Sequence, residues 1–319
     1  MTPHARLTTP FSSHATTAEV IAGTDLHGRR VIVTGGASGL GAETVRSLAS
    51  AGAEVTVATR RPDTAEPLAR EMDALPGAGR VRIAALDLAD LHSVDAFARD
   101  WKGPLDVLVA NAGVMALPTR TLSVDGWEMQ LAVNFLGHYA LAEALRPALR
   151  AAGTARLVVV SSGAHRTVPF DFHDPHFARR PYDPWTAYGQ SKTADVLLAV
   201  GAAHRWADDG ITANALAPGY ILTDLQRHLD RDTLRSFGVV HDEDGVTTPA
   251  YFKTPAQGAA TSVLLAASPL VTGVTGRYFE DNEEARPIQA GEGGVAAHAL
   301  DPEAAERLWT LARSTVRAH

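Results

Sequence analysis

The chain has 319 residues, 45% of them hydrophobic and 20% charged, the balance of a soluble globular protein large enough for one α/β domain. Its formal net charge of −7 leaves no overall basic footprint for nucleic acid. The absence of cysteine excludes disulfides, thiolate catalysis and Cys-ligated metal centres.

Residues 1–27 read as an irregular or partly helical lead-in, without the basic start and apolar core of a signal peptide. No apolar run reaches the roughly 20 residues that span a bilayer. A cytoplasmic protein with no membrane span is the expectation. From residue 28 to 319 the pattern fits a single doubly wound sheet of about seven mostly parallel strands, with helices on both faces. Val31–Val33, Val55–Ala58, Val81–Ala85, Val107–Val109 and Leu157–Val160 are β-branched runs that suit strands buried on both sides. Ala42–Ala51 and Leu131–Leu149 read as helices between them. Ile211–Leu216 and Gly276–Phe279 add two later strands, and Thr254-Pro255-Ala256-Gln257 has the form of a capping box opening a helix to Ala267. Leu225–Lys253 is charged and aperiodic, and is expected to be a substrate lid.

The first strand runs into Thr34-Gly35-Gly36-Ala37-Ser38-Gly39-Leu40-Gly41 and then a helix. Glycines at 35, 39 and 41 allow close approach to a pyrophosphate, whose charge the helix N-terminus favours. A Gly-rich turn alone is weak evidence; the strand–turn–helix order strengthens it. The second strand ends in Thr59-Arg60-Arg61, with no acidic residue for the adenosine ribose. Arg60 offers positive charge where a 2′-phosphate would lie, which favours NADP(H) over NAD(H). Two solvated surface arginines are the plainer alternative. Asp87-Leu88 and Asn111-Ala112-Gly113 follow the third and fourth strands, at the carboxyl ends where open α/β sheets bind ligands.

Ser162 also follows a strand, and Tyr188 and Lys192 lie four residues apart, on one face if the stretch is helical. Carbonyl reduction needs a proton for the developing alkoxide. A phenol, with an ordinary pKa of about 10, becomes a usable acid/base when a cation stands beside it. Ser162 would hydrogen-bond the substrate oxygen. Either residue pair alone has an ordinary structural explanation; the ordered combination does not.

Taken together, TGxxxGxG at Thr34–Gly41, Asn111-Ala112-Gly113, Ser162, Tyr188–Lys192 and Pro218-Gly219 resemble the short-chain dehydrogenase/reductase family over roughly residues 28–284. Ala58-Thr59-Arg60, Leu86-Asp87-Leu88, Asn134-Phe135-Leu136-Gly137-His138 and Ser161–His165 are most similar to retinol-dehydrogenase-like and WW-domain-oxidoreductase-like members, including bacterial ones. The resemblance implies an NADP-dependent oxidoreductase acting on a carbonyl or secondary alcohol of a small molecule. It also implies that Asn134 supports a proton-relay water, and that Ile221 and Thr223 meet the cofactor after Pro218-Gly219. A homo-oligomer is compatible with it.

His165, Phe170, Tyr182, Trp185 and Tyr220 flank these elements and are candidates for lining a bulky apolar substrate pocket, although a structural hydrogen bond is the simpler role for His165. His173-Asp174-Pro175-His176 has no third ligand at a recognisable spacing, so no metal is expected. Two other functions share such a sequence: a catalytically silent NADP(H)-binding sensor, and a non-redox lyase or epimerase. The first usually lacks the tyrosine or lysine, and the second usually carries a larger substrate domain.

Overall fold

The computed structural model describes residues 5–242, 245–288 and 293–318. Helix α1 (Thr17–Ile21) precedes β1 (Arg30–Thr34), α2 (Gly39–Ser50), β2 (Glu54–Thr59), α3 (Glu66–Asp73), β3 (Val81–Ala85), α4 (Leu91–Asp100) and β4 (Val107–Ala110). Next come α5 (Met129–Leu131), a π turn (Ala132–Leu136), α6 (Gly137–Ala151), β5 (Ala155–Val160), α7 (Pro184–Arg205) and β6 (Ile211–Ala217). A segment with α8 (Arg231–Ser236) and the hairpin β7 (Val240–Asp242) and β8 (Gly245–Thr247) leads to α9 (Pro255–Gly258) and α10 (Ala260–Ala267). Strands β9 (Tyr278–Glu280) and β10 (Glu283–Glu284) and helix α11 (Pro302–Arg317) complete the chain.

The main sheet has the order β10-β9-β6-β5-β4-β1-β2-β3. Seven strands are parallel and only the two-residue β10 runs against its neighbour, so the expected seven-stranded doubly wound sheet is present with a short antiparallel edge. Strand order reverses between β1 and β4, and a crevice opens at the carboxyl ends there. Ile32, Leu108, Leu157 and Ala213 face a core shared with α4, α6, α7 and α11. Val33, Val55, Val109 and Val158 face the other core, against α2, α3 and α10. Alternate residues of each strand therefore serve opposite layers, as buried parallel strands require. Asp183 caps α7 by accepting from the Thr186 amide at 2.7 Å, with Pro184 in the first turn, and residues 187–203 of this helix are buried. No described helix is long and apolar enough to cross a membrane.

One expectation changes. The span read as one helix from Leu131 to Leu149 is interrupted, since Gly137 N donates to Ala132 O five residues back. The extra residue in this turn accompanies two bonds of the Asn134 amide to Val114, which its Oδ1 accepts from N at 2.8 Å and its Nδ2 donates to O at 3.0 Å. The lead-in, expected to be irregular or partly helical, carries α1, and its described part packs on the domain. Leu7 and Phe11 rest on the α2/α10 core, and Leu7 exchanges backbone and side-chain hydrogen bonds with Glu284 at the sheet edge.

Two buried histidines pin the carboxyl ends. His138 Nδ1 donates to Asn134 O at 2.7 Å, so Nε2 of the neutral ring accepts from the Thr34 hydroxyl at 2.8 Å. His165 Nδ1 donates to Ser162 O at 2.7 Å and Nε2 accepts from Ala296 N. Burial depresses each ring from 6.5 to about 4. The unfolded chain therefore takes up protons that the folded chain refuses. The stabilisation is complete above pH 6.5 and is lost as pH falls towards 4, up to about 3 kcal/mol per ring. His138→Gln, which can mimic both bonds without titrating, is expected to flatten the loss of stability between pH 7 and 5 in denaturant titrations; a slope equal to that of the unaltered protein would refute the assignment.

Candidate active site

The Gly-rich turn after β1 is shaped by contacts that only glycine permits. A Cβ on Gly41 would stand 2.3 Å from Gly35 O, and one on Gly35 (φ +65°) would stand 2.9 Å from Ala112 Cα. Strand β1 and the β4 loop are thus held together at the crevice floor. Thr34 makes the junction. Its hydroxyl accepts from Asn111 N at 2.9 Å and Ala112 N at 3.0 Å, while Asn111 Nδ2 donates to Thr34 O at 2.8 Å. Ser38 makes no side-chain cap bond to α2, and it faces the cavity with the first turn of that helix. Gly35, Ser38, Gly39, Leu40 and Gly41 line one side of the crevice, with Asp87 and Leu88 at the end of β3 and Asn111, Ala112 and Gly113 at the end of β4. Arg60 and Arg61 are exposed at its rim, and neither is ion-paired among the described residues. This set suits a dinucleotide: backbone donors for a pyrophosphate, a polar shelf for ribose, and a guanidinium beyond it.

Ser162, Tyr188 and Lys192 line the same cavity. Ser162 leaves β5 in extended conformation and its Oγ accepts from Ala164 N at 3.2 Å. Ser161 Oγ donates to Lys192 O at 2.7 Å, which fastens the end of β5 to α7. The Lys192 ammonium lies 5.8 Å from the centre of the Tyr188 ring and donates to Val160 O at 2.9 Å and Asp195 Oδ2 at 2.8 Å. Burial pulls its pKa down, but the Asp195 carboxylate and the Tyr188 phenol raise it by more, so the group stays charged. Asn134 is buried one layer behind, its Nδ2 donating to Ser191 Oγ at 2.8 Å on α7. Its side chain does not line the cavity.

The cavity measures about 1840 Å³, beyond the roughly 300–1,000 Å³ of a single small-ligand pocket. There is room for a dinucleotide and a second molecule. Pro218, Gly219, Ile221 and Thr223 lead from β6 across its roof. Thr223 comes within 3.6 Å of where a Cβ on Gly39 would stand, so this segment reaches the Gly-rich loop. Beyond Tyr188 the wall turns aromatic. Trp185 lies 6.3 Å from Tyr188 and 6.0 Å from Phe237, and Tyr220 lies 6.3 Å from Phe237 and 5.3 Å from Tyr251 between ring centres. Met115, Leu225 and Leu229 close the floor beside Tyr188.

Three substrate candidates lie elsewhere. His165 turns its ring away from the cavity to bond Ser162 O and stack on Tyr278 at 4.7 Å. Tyr182 accepts from Gln130 Nε2 at 2.9 Å and packs on Phe177, outside the cavity. Phe170 is buried against Phe172. In the His173–His176 loop, Asp174 accepts three backbone amides and His176 accepts from Glu128 N, ordinary turn-fixing roles. Phe237, Tyr251 and Met115 were not singled out from sequence. The only signal was isolated apolar residues within the charged 225–253 stretch and after Gly113.

Comparisons with known proteins agree with this geometry. The short chain dehydrogenase family profile matches residues 29–234. A protein described as "Probable oxidoreductase" from Streptomyces lividans is 71% identical over 92% of the chain and 99% of its own length. Polyprenol dehydrogenase of mouse is 40% identical over 88% and 82%, and human retinol dehydrogenase 14 is 34% identical over 91% and 87%. Among solved structures, a protein from Mycobacterium paratuberculosis superposes with a TM-score of 0.73 at 32% identity, covering 95% of this chain and 98% of that one. A gluconate 5-dehydrogenase from Burkholderia cenocepacia, in complex with NADP and tartrate, gives 0.61 at 27% identity, covering 80% and 94%. With the nucleotide cradle, the Ser–Tyr–Lys arrangement and these likenesses in agreement, the chain belongs to the short-chain dehydrogenase/reductase family of oxidoreductases.

Proposed function

We propose that this protein exchanges a hydride between NADP(H) and the carbonyl or secondary alcohol of a bulky apolar molecule, with Tyr188 moving the proton. One observation carries the reading: Ser162, Tyr188 and Lys192 meet in a single cavity that runs from the Gly-rich loop to an aromatic-walled chamber. The NADP complex of the gluconate 5-dehydrogenase supports the choice of nucleotide.

The nicotinamide of the bound nucleotide supplies the hydride in reduction and takes it in oxidation. The chain's own residues handle the oxygen. Ser162 Oγ hydrogen-bonds the carbonyl oxygen and follows the negative charge that develops there. The Tyr188 hydroxyl gives its proton to that oxygen, so one C–H and one O–H bond form as the C=O π bond is lost. The Lys192 ammonium stabilises the phenolate left behind and can donate to ribose hydroxyls through the N–H not used by Val160 and Asp195. Oxidation runs the same transfers backwards. Arg60 binds the 2′-phosphate, and Trp185, Tyr220 and Phe237 offer apolar faces to the substrate. In this reading residues 28–319 act as one catalytic domain, and 225–253 covers the substrate.

Three outcomes test it, with β-tetralone as the probe ketone. Tyr188→Phe is expected to lower kcat with NADPH by about a hundredfold or more, while NADPH fluorescence titration changes little; retained turnover would remove the proton-transfer role. Arg60→Ala is expected to weaken NADPH by about tenfold and leave NADH almost unchanged. Equal effects on both nucleotides would refute the 2′-phosphate assignment. Trp185→Ala is expected to raise KM for β-tetralone by about tenfold and to leave KM for acetone within about twofold; equal changes for both ketones would rule out an apolar substrate wall.

A further inference from the structure

Helix α7 carries one buried acid that the chemistry above does not use. Asp195 stands one turn after Lys192, between Ala194 and Val196, in a stretch otherwise of small and apolar residues. Its side chain is 1% exposed and that of Lys192 is 6% exposed, so both charges are removed from water together. The pair is 2.8 Å apart. Asp195 Oδ1 is buried and has no hydrogen-bond partner among the described residues. Such a half-satisfied carboxylate is a poor device for stability. A buried ion pair seldom exceeds a well-packed apolar alternative, and an unbonded carboxylate oxygen adds a further cost. An amide here could accept from Lys192, but it would leave the ammonium as an uncompensated buried charge. The negative charge itself is what an amide would not supply.

The placement says what that charge acts upon. Lys192 has three N–H donors, and two are directed by Val160 O and Asp195 Oδ2. With two of three directions fixed, the ammonium cannot swing freely, and it stays 5.8 Å from the Tyr188 ring centre. The carboxylate is the counter-charge of the ammonium and holds it charged against burial. We propose that Asp195 is a positioning residue: it holds the Lys192 ammonium in place beside Tyr188 and sets how much positive charge the phenol feels. The inference rests on Tyr188 as the proton-transfer group. Without Asp195, burial would pull the Lys192 pKa down with less to oppose it, and the phenolate would lose part of the cation that stabilises it.

Burial pushes the Asp195 carboxyl up, and the Lys192 ammonium beside it pulls it back. The other titratable groups whose charge reaches this assembly are few. His138 on α6 feels Lys192 and is held neutral by burial. Tyr278 on β9 feels Tyr188, and burial keeps its phenol protonated. Neither supplies a second counter-charge.

The full-length protein is compared with Asp195→Asn and with Asp195→Ser, which also removes the charge but with a smaller side chain. Oxidation of β-tetralol by NADP+ is followed against pH, and tyrosinate absorbance is titrated without nucleotide, with the Tyr188→Phe protein subtracted to isolate this phenol. Both variants are expected to move the acid limb of kcat/KM and the tyrosinate midpoint up by about one pH unit. KM for NADP+ is expected to stay within about threefold. A midpoint that stays put, or that falls, would overturn the proposal and leave Asp195 a structural partner only. The absorbance titration reads the answer even if a variant loses turnover. If Tyr188→Phe retains full activity, the catalytic reading of Tyr188 fails by itself, and the titration still reports whether Asp195 controls the phenol.

Discussion

The working end of this protein depends on a histidine that must stay neutral. His138 meets a carbonyl at one ring nitrogen and a hydroxyl at the other, so a second ring proton would leave Nε2 facing the Thr34 hydroxyl as donor against donor, unless that hydroxyl turned away. The hydroxyl instead gives its proton to the ring and offers its lone pairs to two amides of the β4 loop. One interaction therefore joins β1, the Asn111–Gly113 loop and the start of α6. The Gly-rich turn and Asn134 take their positions from that junction. Because its members are neutral, it can be buried at modest cost next to a site that carries several charges.

How much of this could be read in the sequence follows from how local each feature is. The Gly-rich loop was legible because tight turn, close approach and helix start must occupy consecutive residues. Tyr188 and Lys192 were legible because one helix turn fixes their relation. The π turn at Asn134 was not, because one extra residue barely disturbs the apolar periodicity of 131–149. His165 has the structural hydrogen bond that was its simpler reading. It is near Ser162 in sequence, but bonding to the Ser162 carbonyl requires its ring to turn inward. The aromatic wall was the least legible part. Trp185, Tyr220, Phe237 and Tyr251 come from separate segments, and only the folded chain brings them around one space.

The site also shows two ways of burying polarity on neighbouring elements. Around Thr34 every partner is neutral and the hydrogen bonds are complementary. On α7, Lys192 and Asp195 are buried as an ion pair with one oxygen unbonded. The first arrangement fixes backbone, where rigidity is the requirement. The second keeps a field in place beside a group proposed to gain and lose charge in each turnover. A neutral network could hold a lysine still, but it could not keep it charged against burial.

The far edge of the sheet adds a constraint of timing. Leu7 pairs with Glu284, and Asn282 Nδ2 donates to Ser12 O, so the first described segment is stitched to strands nearly 280 residues later. On the ribosome this segment emerges early, yet its seat exists only after β9 and β10 have been synthesised. Until then Leu7 and Phe11 have no finished surface to cover, and closure of this seam belongs to the late steps of folding. Residues 7–12 thus leave the ribosome long before the strands that seat them.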